Sequence, residues 1–154
     1  ADAGPAVMLG AGGAARAVGA ALVAQRVPAL RIANRTRARA EALAASLGPV
    51  ATVHDWSERE ALLDDAALLV NTTSQGMQGK PPLELSLARL PRTAMVSDVV
   101  YTPLETPLLS AARARGNPAA DGLGMLLNQA RPGFAAWFGV TPEVTPALRA
   151  LMAA

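Results

Sequence analysis

Residues 10–14 read Gly-Ala-Gly-Gly-Ala and residues 34–39 read Asn-Arg-Thr-Arg-Ala-Arg; in both, residue type and spacing suit the holding of phosphate. Val7, Met8 and Leu9 lead into the first segment and a small-residue stretch follows it, so the glycines lie between a short apolar strand and a helix. In that setting Gly10 makes the tight turn, and Gly12 leaves no side chain where a pyrophosphate approaches the backbone. Ala15 lets the helix pack close to the strand. Ala11, Gly13 and Ala14 complete the loop, and the free N–H groups of the helix face the phosphates.

The second segment bears on which dinucleotide. A site for NAD ends its second strand in Asp or Glu, about 20 residues past the glycines, to bind the ribose 2′-hydroxyl. This chain has Asn34 there, followed by Arg35, Thr36 and Arg39. A carboxylate repels a 2′-phosphate, whereas guanidinium groups bind it through charge-assisted hydrogen bonds. Arg35 also suits a flat contact with adenine, and Thr36 a helix cap that touches phosphate. The alternative is a strand end with solvated arginines. With the glycine loop upstream, the residues point to NADP rather than NAD.

The elements that must position these loops alternate. Short apolar strands are expected at Val7–Gly10, Leu30–Asn34, Val50–Val53, Leu68–Thr72, Ala94–Val100 and Asn117–Asp121. Helices are expected at Ala14–Gln25, at Arg37–Leu47 before the terminator Gly48, from Thr106-Pro107 to Gly116, and at Leu123–Arg131. Ser57 and Glu60 read as a capping box ahead of Ala61, Leu62 and Leu63, Pro132 as a helix break or kink, and Thr145-Pro146 as a last helix start. Strands alternating with helices predict an α/β, Rossmann-like, doubly wound parallel sheet of about six strands, with helices on both faces. Residues 1–154 are read as one domain.

Composition narrows the class. Hydrophobic residues make up 51% and aromatics 3%, so the core is built from Ala, Leu and Val. No apolar run reaches the roughly 18 residues of a membrane span, and no signal segment is evident. With no cysteine, disulfides and thiolate chemistry are excluded, and a cytoplasmic, non-membrane protein is expected. The net charge is +2, with thirteen arginines and one lysine, Lys80. Outside residues 31–39 the arginines are scattered without an aromatic platform, which argues against a nucleic-acid partner.

Ligands of such sheets bind beyond the carboxyl ends of the strands, at the point where strand order reverses. After the fourth strand, Asn71, Thr72, Thr73, Ser74, Gln75, Gly76 and Met77 suit contacts to ribose or phosphate, or else a solvated turn. After the fifth, Asp98, Val99, Val100 and Tyr101 precede Thr106-Pro107-Leu108-Leu109. The lone tyrosine stands over the site, unless its tip is buried against backbone. Asp121 and Gly122 then lead into a helix that carries Met125, Leu126 and Gln129.

In that order, these segments resemble the C-terminal, NADP-binding domain of the shikimate dehydrogenases, over essentially the whole chain. The resemblance implies NADPH-linked reduction of 3-dehydroshikimate to shikimate, in aromatic amino-acid biosynthesis. It places Gly10, Ala11, Gly12, Gly13 and Ala14 around the pyrophosphate and Asn34, Arg35, Thr36 and Arg39 at the adenosine ribose phosphate. Thr72, Thr73, Val99 and Gly122 would follow the ribose and nicotinamide, and Tyr101 and Gln129 would reach the substrate. The family's catalytic Lys–Asp pair and most substrate contacts belong to a separate N-terminal domain. The chain starts just ahead of its first strand, so that domain is expected to be absent from it. Lys80, in Gly79-Lys80-Pro81-Pro82, does not match the catalytic motif and reads as a solvated loop residue, and His54 as a surface or strand-end residue. No catalytic residue and no metal site are assigned.

Two departures fall near the end of the chain: Pro118 weakens the sixth strand, and Arg131-Pro132-Gly133 interrupts the helix. The alternatives left open are a stand-alone NADP(H)-binding module without catalysis and an enzyme for quinate or a related cyclohexane acid. The Asn34-Arg35-Thr36 cluster argues against an NAD-using quinate enzyme. Without its other domain, the chain is expected to expose apolar surface near Leu123–Leu127 and Phe134–Phe138 and to self-associate.

Overall fold

Six short strands in the computed structural model form one parallel sheet, in the order β3-β2-β1-β4-β5-β6. They are β1 (Ala6–Leu9), β2 (Leu30–Ala33), β3 (Ala51–His54), β4 (Leu68–Asn71), β5 (Met95–Asp98) and β6 (Ala119–Ala120). The helices are α1 (Gly13–Ala24), α2 (Arg37–Leu47), α3 (Pro107–Ala114), α4 (Leu123–Phe138) and α5 (Pro146–Ala153). The structure describes residues 4–153; of the span read as one domain, residues 1–3 and 154 lie outside the described part. Strand order reverses between β1 and β4, the switch point of a doubly wound sheet.

Side chains alternate across the strands and so build two cores. Ala6 and Met8 of β1 join Leu30 and Ile32 under α1 and α2, where Ala15, Ala40 and Leu43 are buried. Val7 and Leu9 face the other way, with Leu69, Val96, Leu108 and Leu109. No helix crosses from β4 to β5; instead Leu83, Leu87 and Leu90 of that long connection are buried in the second core. Register sets the site. Leu9 pairs with Ala33 and with Asn71, and Asn71 pairs with Asp98, so four strands end level with one another. The loops beginning at Gly10, Asn34, Thr72 and Val99 therefore leave the sheet side by side.

Several expectations need correction. The capping box is not Ser57/Glu60: the Asp55 N–H donates to Glu58 Oε2 at 2.9 Å, while the Glu60 carboxylate accepts from the Ser86 N–H at 3.1 Å. The segment forms two single 3-10 turns, Trp56–Glu58 and Ala61–Leu63. Pro132 does not end α4, which runs on to Phe138. The carbonyl that Pro132 cannot pair is that of Asn128, an exposed residue, where the lost bond costs little. The sixth strand shortens to Ala119–Ala120 because Pro118 has no N–H, yet its carbonyl still accepts from Val96 N–H at 2.9 Å. Leu123 is buried, so of the two apolar stretches expected at the surface the exposed one is Phe134–Phe138, with Phe134, Trp137 and Phe138, and it continues at Val140, Leu151 and Met152.

Candidate functional site

The glycine loop is held open by contacts on its two sides. Thr72 donates to the Leu9 carbonyl from both its N–H (2.8 Å) and its hydroxyl (2.7 Å), which draws the start of the β4 loop against the end of β1. Gly10 turns there at φ +109°, and a Cβ on it would stand 2.6 Å from Thr72 Oγ1. Only glycine fits both the angle and the space. Gly12 precedes α1 with extended backbone, and a Cβ on it or on Gly13 would meet nothing within 4 Å. Those two positions face open space, as an anion cradle at a helix N-terminus requires.

On the β2 side, Asn34 Nδ2 donates to the Thr36 carbonyl at 2.8 Å and folds the loop ahead of α2. Thr36 stands at the N-cap, but its hydroxyl makes no cap bond and stays exposed. The arginines here divide into two groups. Arg31 forms a fork with the Asp65 carboxylate, and Arg37 donates to Glu41 (2.9 Å) and Asp55 (2.8 Å); these carboxylates raise both guanidinium pKa values. Arg35 and Arg39 have no hydrogen-bonded or ionic side-chain partner among the described residues. Both line a cleft of about 230 Å³ with Gly10, Ala11, Gly12, Asn34, Thr72 and Thr73.

A second cleft, of about 640 Å³, continues from the first. Thr72, Thr73 and Ser74 line both, and the larger one adds Gly13, Ala14, Val99, Tyr101 and Gln129. The Tyr101 phenol is 42% exposed and bonds to no group among the described residues, so it is not a buried tip satisfied by backbone. Gln129 is likewise exposed on α4. Thr36 and Gly122 line neither cleft. Gly122 is buried behind Val99, beside an apolar cavity of about 340 Å³, and a Cβ on it would fall 2.3 Å from the Val99 carbonyl oxygen.

Beneath the clefts runs a polar network whose members the sequence displayed without showing their connections. Buried Asp98 accepts from Val100 N–H (3.0 Å), Asn71 Nδ2 (3.0 Å) and Thr106 Oγ1 (2.8 Å). Asn71 Oδ1 in turn accepts from the Thr73 N–H (3.0 Å) and hydroxyl (2.7 Å), fixing the threonine that faces both clefts. Burial pushes the Asp98 carboxyl above its ordinary range, and the three donors hold it back in part. One residue of the smaller cleft, Trp56, was not read as a ligand contact; Gln75, read within the 71–77 segment suited to ribose or phosphate, has a buried Oε1 with no partner among the described residues. Lys80 lies in an exposed loop and His54 ends β3 in contact with Thr52 Oγ1, as their sequence readings expected. No described helix is long and apolar enough to cross a membrane.

The family model for shikimate / quinate 5-dehydrogenase matches residues 2–80, and that for the shikimate 5′-dehydrogenase C-terminal domain matches residues 122–152. A shikimate dehydrogenase (NADP(+)) of Dinoroseobacter shibae is 62% identical over 94% of this chain and 52% of its own length. Quinate dehydrogenase from Corynebacterium glutamicum in complex with NAD superposes with TM-score 0.87 at 34% identity, over 99% of this chain and 54% of that one. Shikimate 5-dehydrogenase from Thermus thermophilus, in complex with NADP(H) and shikimate, gives TM-score 0.80 at 36% identity, over 98% and 54%. The chain spans about half the length of the relatives it matches.

Proposed function

We propose that this chain, which belongs to the shikimate / quinate dehydrogenase family, is the NADP-holding half of an enzyme that reduces 3-dehydroshikimate to shikimate. The observation that carries the cofactor assignment is the pairing of the arginines. Arg31 and Arg37 are neutralised by carboxylates, while Arg35 and Arg39 stand without partners among the described residues, at the cleft that begins at the glycine loop. A 2′-phosphate is the anion that such a pair, set beside a dinucleotide cradle, would bind. The open space over Gly12 fits a pyrophosphate there.

Within that reading, Gly10 to Ala14 cradle the pyrophosphate, and Asn34 and Thr36 shape the loop around the 2′-phosphate. Thr72 and Thr73 border the ribose, and Val99 backs the nicotinamide with Gly122 behind it. The bound cofactor supplies the hydride. Tyr101 and Gln129 present a phenol and an amide to the substrate ring and hold it against the reactive carbon. The side chains lining the larger cleft include no lysine, histidine or carboxylate. The proton for the developing alkoxide is therefore assigned to the Lys–Asp pair of the family's N-terminal domain. The setting proposed is cytoplasmic. Exposed Trp137 (81%), Leu151 (74%) and Phe138 (63%) form the surface through which the isolated chain would associate with itself.

Mixing the chain with the N-terminal domain of a relative, and following NADPH oxidation with 3-dehydroshikimate, tests this function. Turnover in the mixture and none in either part is the expected result. No turnover in a mixture that binds NADPH would favour a binding module without catalysis. Quinate is the second reading, favoured by the likeness to the C. glutamicum enzyme. Quinate oxidation with NAD in the same mixture, and none with NADP, would establish it.

A further inference from the structure

We propose that Trp56 and Gln75 form the base-reading wall of the smaller cleft: the Gln75 amide accepts a hydrogen bond from the exocyclic amine of adenine, and the Trp56 indole packs against the base. The proposal rests on the dinucleotide reading and specifies its adenine end.

Trp56 follows the end of β3 and lines the same cleft as Arg35, Arg39 and Gly10. Its indole packs partly buried against the core that holds Leu83, Leu87 and Leu90. Arg59 fixes it. The guanidinium lies 5.1 Å from the ring centroid and donates to the Trp56 carbonyl (2.9 Å) and, through Nη2, to that of Glu84 (3.1 Å). A ring held in this way is a preformed apolar wall, which a flat base can use whatever the nicotinamide end does.

Gln75 supplies the polar half. Its backbone is fixed at both ends: the N–H donates to Thr73 Oγ1 (3.1 Å) and the carbonyl accepts from Asn71 Nδ2 (3.2 Å). Its side-chain Oε1 is buried and has no hydrogen-bond partner among the described residues. Buried polar atoms are almost always partnered, so an orphaned acceptor marks a place where a donor belongs. Phosphate offers no donor to an amide oxygen, which assigns Gln75 to the base rather than to the 2′-phosphate. Adenine presents an amine donor beside a ring acceptor, the pattern that a carboxamide matches with both of its atoms. Gln75 lines the cleft together with Trp56, Arg35 and Arg39.

The test uses adenosine 2′,5′-bisphosphate, which carries the base and the 2′-phosphate without nicotinamide, and its hypoxanthine counterpart. In Trp137→Phe, Trp56 is the only tryptophan left, since the chain has two. The adenine ligand should quench its emission. Calorimetry should give adenine about tenfold tighter binding than hypoxanthine, whose exocyclic oxygen and N7 are both acceptors and leave the amide oxygen unpaired, and Gln75→Leu should bring the two within about twofold. Trp56→Phe keeps an aromatic wall against the core and should abolish the signal while preserving the adenine preference. Unchanged emission on saturation, or equal affinity for the two bases in the parent chain, would overturn the proposal and leave the dinucleotide reading standing. Failure of both the bisphosphate and NADPH to bind would overturn the two together.

Discussion

Asn71 Nδ2 donates to Asp98 Oδ1 at 3.0 Å, joining the carboxyl ends of β4 and β5 beneath the clefts. Through Asn71 the bond fixes Thr73, and through Asp98 it reaches Thr106, which caps α3 by accepting from Leu109 N–H at 3.3 Å. Asp98→Ala would strand the Asn71 amide, the Thr106 hydroxyl and the Val100 N–H in a buried place. A loss of about 3 kcal/mol is expected in urea denaturation. A loss below about 1 kcal/mol would mean that the network does not hold the floor of the site.

The same carboxyl gives stability a pH dependence of known sign. Burial raises its folded pKa above the ordinary 3.8, so the folded chain holds the proton more tightly than the unfolded one. That contribution is complete below the ordinary value and is lost as pH rises through the raised one. The exposed pairs of Asp65 with Arg31 and Asp64 with Arg89 act in the opposite sense: their lowered carboxyls contribute above the ordinary value, and the contribution fades as pH falls. Asp98→Asn isolates the buried group. Urea denaturation from about pH 4 upward should show the parent's advantage over this variant shrinking as pH rises. An advantage that widens would contradict the assignment.

Glycines of the site separate structure from binding. Gly10→Ala forces a Cβ to within 2.6 Å of Thr72 Oγ1 at φ +109° and should cost about 2 kcal/mol. Gly12→Ala meets nothing within 4 Å, so stability should change by less than about 0.5 kcal/mol. Its NADPH affinity should nonetheless fall at least about tenfold, because the methyl group occupies the path of the pyrophosphate. Thermal denaturation and calorimetry on the two variants give both readouts, and a Gly12→Ala chain that binds NADPH like the parent would refute the cradle.

Self-association has a defined surface. Light scattering over a range of concentrations should find the chain larger than a monomer. Trp137→Asp with Phe138→Asp should return it to monomer mass, since both side chains are mostly exposed on α4. A parent chain that stays monomeric throughout would count against this surface.

Much of the fold was legible because local signals agreed with it. Apolar tetrads such as Ala6–Leu9 sit in a sheet buried on both faces, and Thr106-Pro107 starts α3 with the cap its residues announce. What failed depended on distant contacts. Glu60 was drawn to Ser86 rather than to Ser57, and α4 passed through Pro132 because the lost bond faces solvent. The glycine loop was legible from its residues alone. The division of the arginines was not: Arg31 finds Asp65 34 positions away, and nothing local distinguishes it from Arg35. Trp56 escaped notice for the same reason, since it meets Gln75 and the glycine loop only when the ends of β1 through β4 come level.

Calorimetric titration with NADPH and NADH, at low and moderate salt, in the parent chain and in Arg35→Ala and Arg39→Ala, tests the central claim most directly. NADPH should bind at least about tenfold tighter than NADH and weaken as salt rises. Each arginine variant should lose roughly tenfold or more toward NADPH while NADH changes less than about twofold. Equal affinities in the parent, or equal losses for both cofactors in the variants, would contradict the 2′-phosphate clamp.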